Sequence, residues 1–220
     1  FLDWAERAGR AAPLYNPLNV LFWNHDKRYL LELESSGVPI VPTVRLPRGK
    51  AARLEAVASA HGWGDLVVKP SISASSFRTA RFGVSTWPAG EAHLSGLLGH
   101  ADVLIQEYMP DVEQYGERAL VWIDGVFTNA VRKSPRLLHE AAQVSQAMPI
   151  TPSEHDTGLR ALQAFDPGKL LYARVDVVPD RKGEPRVMEL ELIEPSLFLL
   201  QSPTALDRFV RAIEARLKAR

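Results

Sequence analysis

The order of apolar and polar positions predicts helices alternating with short strands in the first half of the chain. One helix is expected to begin at Asn24 or Asp26 and to end at Gly37, which places Lys27 in its first turn. The apolar run from Asp65 to Pro70 predicts a short buried strand that the proline ends. The remaining helices and strands of this half are expected over residues 50–61, 81–85, 90–99 and 103–105.

Two hairpins and a closing helix are predicted for the second half. Asp124-Gly125 favours the positive φ angles of a type I′ turn between two apolar strands. The closing helix has Ser202 as N-cap and Pro203 as its first residue. We expect its apolar face to pack on this half through Leu206, Phe209, Val210, Ile213 and Leu217. The other strands and helices are expected over residues 118–123, 126–131, 156–166, 171–178 and 185–193.

Helices combined with antiparallel hairpins indicate an α+β fold. The segment Gln106 to Pro110 follows an apolar strand and divides the chain into two parts of similar size. Residues 134–155 lack a clear period, so an irregular loop is expected there. No internal repeat interrupts this order.

The charge balance excludes several classes of function. With 26 Lys and Arg against 26 Asp and Glu in 220 residues, the net charge is zero. A broad electrostatic attraction to nucleic acid or to an anionic membrane is therefore not expected, and an anionic ligand must be held by a few placed cations. No apolar run approaches ~18 residues, so we expect no membrane span.

The residue content adds two expectations. The chain has no cysteine, which excludes disulfides, thiolate zinc sites and a cysteine nucleophile and favours a cytoplasmic location. The first residue is Phe1 rather than methionine, without a signal-peptide pattern, so the chain looks like part of a longer protein.

Three carboxylates in the last hairpin are the clearest candidates for chemistry. Glu189 and Glu191 point to one face of their strand, and the turn length allows Asp176 to lie opposite Glu189. Carboxylates that converge in this way repel each other unless a hard cation such as Mg²⁺ lies among them. A solvated acidic sheet face is the alternative, although the neighbouring Arg174 favours a site.

Two lysines could hold an anion. Lys69 ends a buried strand, where a cation is costly without a partner, although a lysine that extends its amino group to solvent would explain it too. Lys27 opposes the dipole of its predicted helix, which is a weaker indication. The Ser-rich loop over residues 71–76 could cover phosphates, and the strand end at Gln106 to Met109 could pair with a flat heterocycle. Arg118, Arg132 and Lys133 lie around the middle hairpin, and the simplest expectation is that two of the three are exposed cations of a sheet.

Several familiar motifs are missing from the sequence. The six histidines show no zinc spacing, and a serine-hydrolase elbow is absent. Neither a Rossmann glycine pattern nor a P-loop occurs.

Taken together and in order, six short motifs resemble the ATP-grasp ligases over nearly the whole chain. The resemblance is to the branch that contains glutathione synthetase, the ribosomal-protein glutamate ligases and the O-ureido-serine cycloligase. The motifs are Asn24-His25-Asp26-Lys27, Val67-Val68-Lys69-Pro70, Gln106-Glu107-Tyr108-Met109-Pro110, Gly116-Glu117-Arg118, Ala173-Arg174-Val175-Asp176 and Met188-Glu189-Leu190-Glu191-Leu192-Ile193-Glu194-Pro195.

The resemblance implies a role for each matching residue. It implies that Lys27 and Lys69 hold ATP phosphates, that a loop including Ser75 and Ser76 covers them, and that Glu117 binds the ribose. The adenine-reading backbone would be that of Gln106, Glu107, Tyr108 and Met109. The catalytic cations would be Arg118, Arg132 and Arg174, and the Mg²⁺ or Mn²⁺ ligands would be Asp176, Glu189 and Glu191.

The family also implies an architecture, in which two α+β subdomains with mainly antiparallel sheets clasp ATP. Residues 1–36 would form a linker with an opening helix, 37–105 the smaller subdomain and 106–220 the larger one. The N-terminal substrate domain that usually precedes them is expected to be missing from this sequence. Three departures stand out: a covering loop rich in serine rather than glycine, Glu191 where many members have asparagine, and an unmatched segment over 134–151.

The implied activity is ATP- and Mg²⁺-dependent ligation of a carboxylate to an amine through an acyl phosphate. The substrate would be a small amino-acid-like molecule, and bond formation could be inter- or intramolecular. No partner among nucleic acids or membranes is expected, and homo-oligomerisation is left open. The alternatives are a non-catalytic nucleotide-binding module and a metal-dependent phosphohydrolase.

Overall fold

Sixteen helices and strands order the chain in a computed structural model that describes residues 1–74, 76–134 and 143–219. The helices are α1 (Leu2–Ala11), α2 (Leu18–Asn24), α3 (Tyr29–Ser35), α4 (Leu54–His61), α5 (Trp87–Leu98), α6 (Asp111–Tyr115), α7 (Pro152–Leu162) and α8 (Pro203–Lys218). The strands are β1 (Thr43–Leu46), β2 (Leu66–Pro70), β3 (Ala80–Phe82), β4 (Val103–Glu107), β5 (Glu117–Ile123), β6 (Val126–Lys133), β7 (Tyr172–Pro179) and β8 (Pro185–Glu191).

The first sheet has the order β1-β4-β2-β3, and its neighbouring strands are antiparallel. One face is covered by α4 and α5, whose buried residues Leu54 and Leu94 share a core with Leu66 and Ile105. Gly62 ends α4 with a φ of 68°, a left-handed conformation that glycine adopts without strain. This confirms the predicted end of that helix.

The second sheet has the order β6-β5-β7-β8 and is also antiparallel. Asp124 and Gly125 have φ angles of 45° and 92°, so the predicted tight turn joins β5 to β6. Helices α3 and α7 cover one face of this sheet, where Leu30 and Leu162 pack against Leu120 and Val175. The predicted α+β class with antiparallel sheets is confirmed.

The first 36 residues, expected to form a linker, pack on the second sheet. The side chain of Asn16 donates hydrogen bonds to the backbone oxygens of Tyr172 and Leu192, both over 2.8 Å. Asn24 likewise donates to Leu190 O over 2.7 Å, and it accepts from Leu192 N over 2.8 Å. Asn24 thus bonds β8 and the residue after its end, and Asn16 joins the start of β7 to the same residue, so this segment fixes the edge of the second sheet.

The sequence predicted that a helix starts at Asn24 or Asp26, and this predicted start is wrong. Helix α2 ends at Asn24 and α3 starts at Tyr29, so Lys27 lies in the turn between them rather than in a first helical turn. The physical reason is that the Asn24 side chain bonds the backbone of β8 instead of capping a helix.

The expected apolar face of α8 is also partly wrong. Ser202 precedes Pro203 as predicted, but Leu206, Val210 and Leu217 are exposed, while Ala205 and Ala212 are buried against the sheet. The small alanines let the helix approach β5 closely, since Ala205 packs with Val121 and Ile123. The other predicted limits differ from the structure by a few residues, β1 and α6 were not predicted, and α7 begins at Pro152, within the segment expected to be an irregular loop.

A buried ion pair joins β5 to α7 on the face of the second sheet that α3 and α7 cover. Arg118 donates to Glu154 Oε1 over 2.8 Å, and its guanidinium also donates to Pro149 O over 2.6 Å. Glu154 accepts from Thr151 N over 2.8 Å as part of the capping box that starts α7. Burial by itself would raise the pKa of Glu154, but the hydrogen bonds from Arg118 and Thr151 outweigh it and lower the pKa.

Among the helices that the structure describes, none combines the length and apolar character that crossing a membrane requires.

Glu154→Gln should destabilise the fold by about 2–4 kcal/mol, because Arg118 would stay buried without a counter-charge. The lowered pKa means that the carboxylate stabilises the wild type above its ordinary pKa of 4.5 and that this contribution is lost as the pH falls through the folded-state value. Urea unfolding at several pH values should therefore show that the difference between variant and wild type shrinks in acid.

The matched control is Glu55→Gln, which removes an exposed ion pair with Arg53 and should change stability by less than ~0.5 kcal/mol. A Glu154→Gln variant as stable as this control would contradict the importance of the buried pair.

Candidate active site

A cavity of about 420 Å³ lies between the two sheets. Strands β2 and β4 contribute side chains from the first sheet, and all four strands of the second sheet contribute from the face opposite α3 and α7. Its charged lining consists of four cations and six carboxylates: Lys27, Lys69, Lys133, Arg174, Glu107, Glu117, Asp176, Glu189, Glu191 and Glu194.

Strand register brings the acidic residues of the last hairpin together. Asp176 lies opposite Glu189, as the sequence predicts, and Arg174 lies opposite Glu191. Since residues two apart share a strand face, all four side chains point into the cavity. The predicted convergence of three carboxylates and Arg174 is confirmed.

Asp176 is the centre of a buried charge network. Arg174 donates to both of its oxygens, over 2.7 Å from Nε and 2.8 Å from Nη2, and Lys133 Nζ donates to Oδ2 over 2.8 Å. Burial by itself would raise the pKa of Asp176, but Lys133 and Arg174 hold it well below its ordinary value. Asp176 therefore stays ionised and keeps the two cations in place.

The carboxylates around this centre are less fully neutralised. Arg174 also pairs with Glu191, and Lys133 also pairs with Glu117. Burial, followed by the negative charge of Asp176, raises the pKa of Glu117 and that of Glu191. A raised pKa favours the protonated form of both groups, and a cation bound beside either one would favour the carboxylate instead.

Glu117 owes its position to the glycine before it. Gly116 has a φ of 78°, and a Cβ atom there would lie 2.6 Å from the backbone oxygen of Lys133. This close approach brings Glu117 opposite Lys133 in the β5–β6 pair. The motif Gly116-Glu117 thus requires glycine for backbone packing and not for phosphate binding.

Lys27 reaches the cavity from the turn between α2 and α3. Its backbone N–H donates to Ser71 O over 2.8 Å, and its Nζ donates to Ser73 O in the Ser-rich loop. Nζ also lies 3.1 Å from Glu189 Oε1. Lys27 therefore joins the loop of the first sheet to the carboxylates of the second.

Lys69 differs from the other three cations because it forms no ion pair with any residue that the structure describes. The side chain is only 7% exposed and lines the cavity. Burial is the main cause that lowers its pKa; the negative charge of Glu189 offsets this only in part, and the positive charge of Lys27 lowers the pKa further. A buried cation without a partner is costly, so this position favours a bound anion.

The opposite end of the cavity is apolar and ends at the segment after β4. Val41, Tyr108 and Met109 pack together there, with Val67 and Met188 against them. The N–H of Glu107 donates to Pro42 O and that of Tyr108 to Asp65 O, over 3.0 and 2.9 Å. In the part of the chain that the structure describes, Met109 N–H has no acceptor, so it is free to bond a ligand.

The structure separates two predicted residues from the rest. Arg118 and Arg132 are paired across β5 and β6 on the face away from the cavity, and neither lines it. Arg118 binds Glu154 there, so the expectation that both arginines face a transferred phosphoryl group is not met. The strand period explains this, because Arg118 and Glu117 are adjacent and must point to opposite faces.

The other predicted residues lie at the cavity, with three exceptions or differences. Ser75 lies outside the described residues, whereas Ser76 lines the cavity. Gln106 lines it too, but its side chain donates to Thr43 Oγ1 over 2.9 Å. Glu117 pairs with Lys133 rather than standing at the apolar end where a nucleoside would fit.

Lys133 is the residue that reasoning from sequence missed. No role in the site was predicted for it, yet its side chain is 13% exposed and pairs with both Asp176 and Glu117. The same alternation that turns Arg132 away turns Lys133 inward. The two-residue period of a strand, applied to Arg132 and Lys133, shows that only one of these neighbours can face the cavity.

The carboxylates fit a metal ion unequally. Glu189 and Glu191 have side chains 27% and 29% exposed toward the cavity, so their oxygens are accessible. Both oxygens of Asp176 accept from Arg174 or Lys133, and its side chain is 1% exposed. Over residues 1–74, 76–134 and 143–219, no three acidic or histidine side chains are arranged to hold a metal ion together.

Two antiparallel α+β halves thus enclose a cavity that combines a group of charged side chains with an apolar slot. No model of a protein family matches the sequence. The cycloserine biosynthesis protein DcsG of Streptomyces lavendulae is 31% identical over 233 residues, which cover 99% of this chain and 78% of DcsG. The crystal structure of the D-cycloserine synthetase DcsG superposes with a TM-score of 0.86.

More distant structures share the fold alone. The ATP-grasp ligase PsnB, solved with Mg and ADP, is 21% identical with a TM-score of 0.66, covering 95% of this chain and 63% of PsnB. The D-alanine–D-alanine ligase of Bacillus anthracis complexed with ATP is 15% identical with a TM-score of 0.69, covering 97% of this chain and 74% of that ligase. The chain belongs to the ATP-grasp ligases and is an ADP-forming C–N ligase, as its motifs predict.

Lys69→Met should raise the free energy of unfolding of the ligand-free protein by about 1 kcal/mol or more, because it removes a buried, unpaired cation. Since burial lowers the pKa of Lys69, the wild type should gain stability as the pH rises toward the ordinary value of 10.5. Urea unfolding without nucleotide should therefore show the largest advantage of the variant near neutral pH.

Lys50→Met is the matched control, because Lys50 is exposed and outside the cavity. A Lys69→Met variant less stable than the wild type would mean that the lysine has a stabilising partner in the free protein.

Proposed function

We propose that this ligase activates the carboxylate of a small amino-acid-like substrate with ATP and Mg²⁺. A carboxylate oxygen attacks the γ-phosphorus, the bond to the β–γ bridging oxygen breaks, and ADP leaves. The nitrogen of an amine then attacks the acyl carbon, phosphate leaves with the electron pair of its C–O bond, and the nitrogen loses a proton. Such transfers need positioning and charge stabilisation more than a protein nucleophile.

The observation that carries this proposal is the unpaired Lys69. It lies in the cavity between the two sheets, beside Lys27, where the phosphates of ATP would supply the missing negative charge. Lys27 also contacts Ser73, so binding of phosphate would involve the Ser-rich loop. Ser75 and Ser76 stay predictions for hydroxyls that cover the phosphates.

The apolar end supports binding of the adenine ring. Val67 and Met188 supply flat apolar walls, and the free Met109 N–H can donate to a ring nitrogen. Tyr108 and Glu107 position this segment through their own backbone hydrogen bonds. Glu117 pairs with Lys133, so the geometry does not support its predicted role on the ribose.

Arg174 and Lys133 support the transfer step. Both are fixed by Asp176, and both line the cavity near the acidic residues of β8. Cations held rigidly in a partly dry site stabilise charge that develops on a transferred phosphoryl group. We therefore propose Lys133 for the role that the sequence assigned to Arg118 and Arg132.

Glu189 and Glu191 are the residues proposed to hold Mg²⁺, together with phosphate oxygens. Two carboxylates suffice, because Mg²⁺ commonly binds one or two protein carboxylates and completes its shell with phosphate and water. When bound, the ion would neutralise charge on the phosphates. Asp176 fits less well, because its oxygens are already bonded, and Mn²⁺ in place of Mg²⁺ stays a prediction.

The likeness to DcsG bears on the type of bond that forms. DcsG is a D-cycloserine synthetase, and its product name denotes a cyclic amino-acid derivative. We therefore include intramolecular C–N bond formation in the proposal. At 31% identity the substrate itself is not carried over.

Lys69→Ala and Glu189→Gln should each reduce ADP formation at least about 100-fold, because each removes a charge that acts on the phosphates. Isothermal titration with ATP and Mg²⁺ should show weakened binding in Lys69→Ala. Lys50→Ala serves as the control, and circular dichroism checks the fold of each variant. Unchanged ADP formation in either variant would exclude the proposed site.

The same measurements separate the alternatives. ADP formation that depends on an added amino acid indicates a ligase, and phosphate release without one indicates a phosphohydrolase. Binding of ATP without turnover in any mixture indicates a nucleotide-binding module. Product mass then distinguishes ligation from cyclisation.

A further inference from the structure

One carboxylate of the cavity has no counterpart in the charge network. Glu194 lines the cavity and is exposed, and no cation that the structure describes pairs with it. Every other charged residue of the lining except Lys69 takes part in an ion pair, since even Glu107 lies 3.7 Å from Arg181. The cavity therefore offers one unpaired cation and one unpaired carboxylate.

These two charges lie in different parts of the cavity. Lys69 is on β2 of the first sheet, among the groups proposed to bind phosphates. Glu194 follows β8 of the second sheet, in a segment that also lines the cavity with Ser196 and Phe198. Ligands that pair with both residues would place an anionic group near Lys69 and a cationic group near Glu194.

The segment that carries Glu194 is held in place on both sides. The hydroxyl of Tyr172 donates to Ile193 O over 2.7 Å, immediately before Glu194. Arg174 donates to Ser196 O over 3.3 Å, two residues later. Arg174 also bonds Asp176, so the backbone next to Glu194 is linked through Arg174 to the buried charges of the sheet.

An aromatic wall accompanies the carboxylate. Phe198 has a φ of 49°, a left-handed conformation that non-glycine residues rarely adopt. Its ring lies 5.7 Å from the guanidinium carbon of Arg174 and contributes to the cavity lining. An apolar wall limits water around a nearby ion pair, which strengthens the pair.

We propose that Glu194 binds the ammonium group of the substrate whose carboxylate is activated, so that the substrate is an amino acid with a free amino group. This inference rests on the proposed function. The substrate carboxylate would lie near Arg174 and the phosphates, and its ammonium would reach the adjacent Glu194. A hydroxy acid or an N-acylated amino acid would leave that carboxylate unpaired.

The experiment compares free amino acids with matched analogues that lack the ammonium charge. The probes are alanine, serine and O-ureidoserine of both configurations, their N-acetyl derivatives, and lactate, each with ATP and Mg²⁺. ADP formation should have a kcat/KM at least about tenfold higher for the free amino acid than for its N-acetyl derivative. Lactate should resemble the N-acetyl derivatives.

Variants test whether Glu194 causes this preference. Glu194→Gln should raise the KM for the amino acid at least about tenfold and leave the KM for ATP unchanged, and Glu194→Asp should restore part of the loss. Glu34→Gln is the matched control, because Glu34 is exposed on α3 and outside the cavity. The ratio of kcat/KM for the free amino acid to kcat/KM for its N-acetyl derivative should fall toward one in Glu194→Gln and stay unchanged in Glu34→Gln.

Three results would overturn the inference. The first is equal turnover of free and N-acetylated substrates by the wild type, and the second is an unchanged preference in Glu194→Gln. The third is an effect of Glu194→Gln that is confined to the Mg²⁺ requirement, which would make Glu194 a metal ligand. Absence of turnover with every free amino acid also counts against it. ATP binding, measured by calorimetry, reports on the proposed function separately.

Discussion

The hydrogen bonds that Arg174 and Lys133 donate to Asp176 fix the charged part of the cavity. Asp176 is 1% exposed, so removing it would take away the counter-charge that Arg174 and Lys133 share inside the cavity. Through these cations it also positions Glu191 and Glu117, which pair with Arg174 and Lys133. One ionised carboxylate on a central strand thus sets the orientation of four other charges.

In a site built in this way, the charges of the protein are fully paired only when the proposed ligands are bound. Lys69 has no counter-charge, Glu194 has none, and the pKa of Glu191 is raised by burial and by Asp176. ATP, a metal ion and an ammonium group would each meet one of these imbalances. The cost of burying Lys69 without a partner falls on the free protein, whereas Glu194 is exposed to water until a ligand binds.

The N-terminal segment contributes to the site without supplying most of its chemistry. Asn16 and Asn24 bond the backbone of β8 and its extension, and the Tyr29 hydroxyl accepts from Leu190 N over 2.9 Å. These bonds hold the strand that carries Glu189 and the segment that carries Glu194. A part of the chain expected to be a linker therefore positions the acidic wall of the cavity.

The sequence by itself determined what depends on local geometry: both hairpins, the α+β class, and the placement of Asp176 opposite Glu189. These follow from the two-residue period of strands and from turn chemistry. The same two-residue period, applied to β5 and β6, also implies that Arg118 points away from the cavity and that Lys133 points into it. Only the tertiary structure decided which cation meets which carboxylate, because an ion pair depends on distances between strands and helices far apart in sequence.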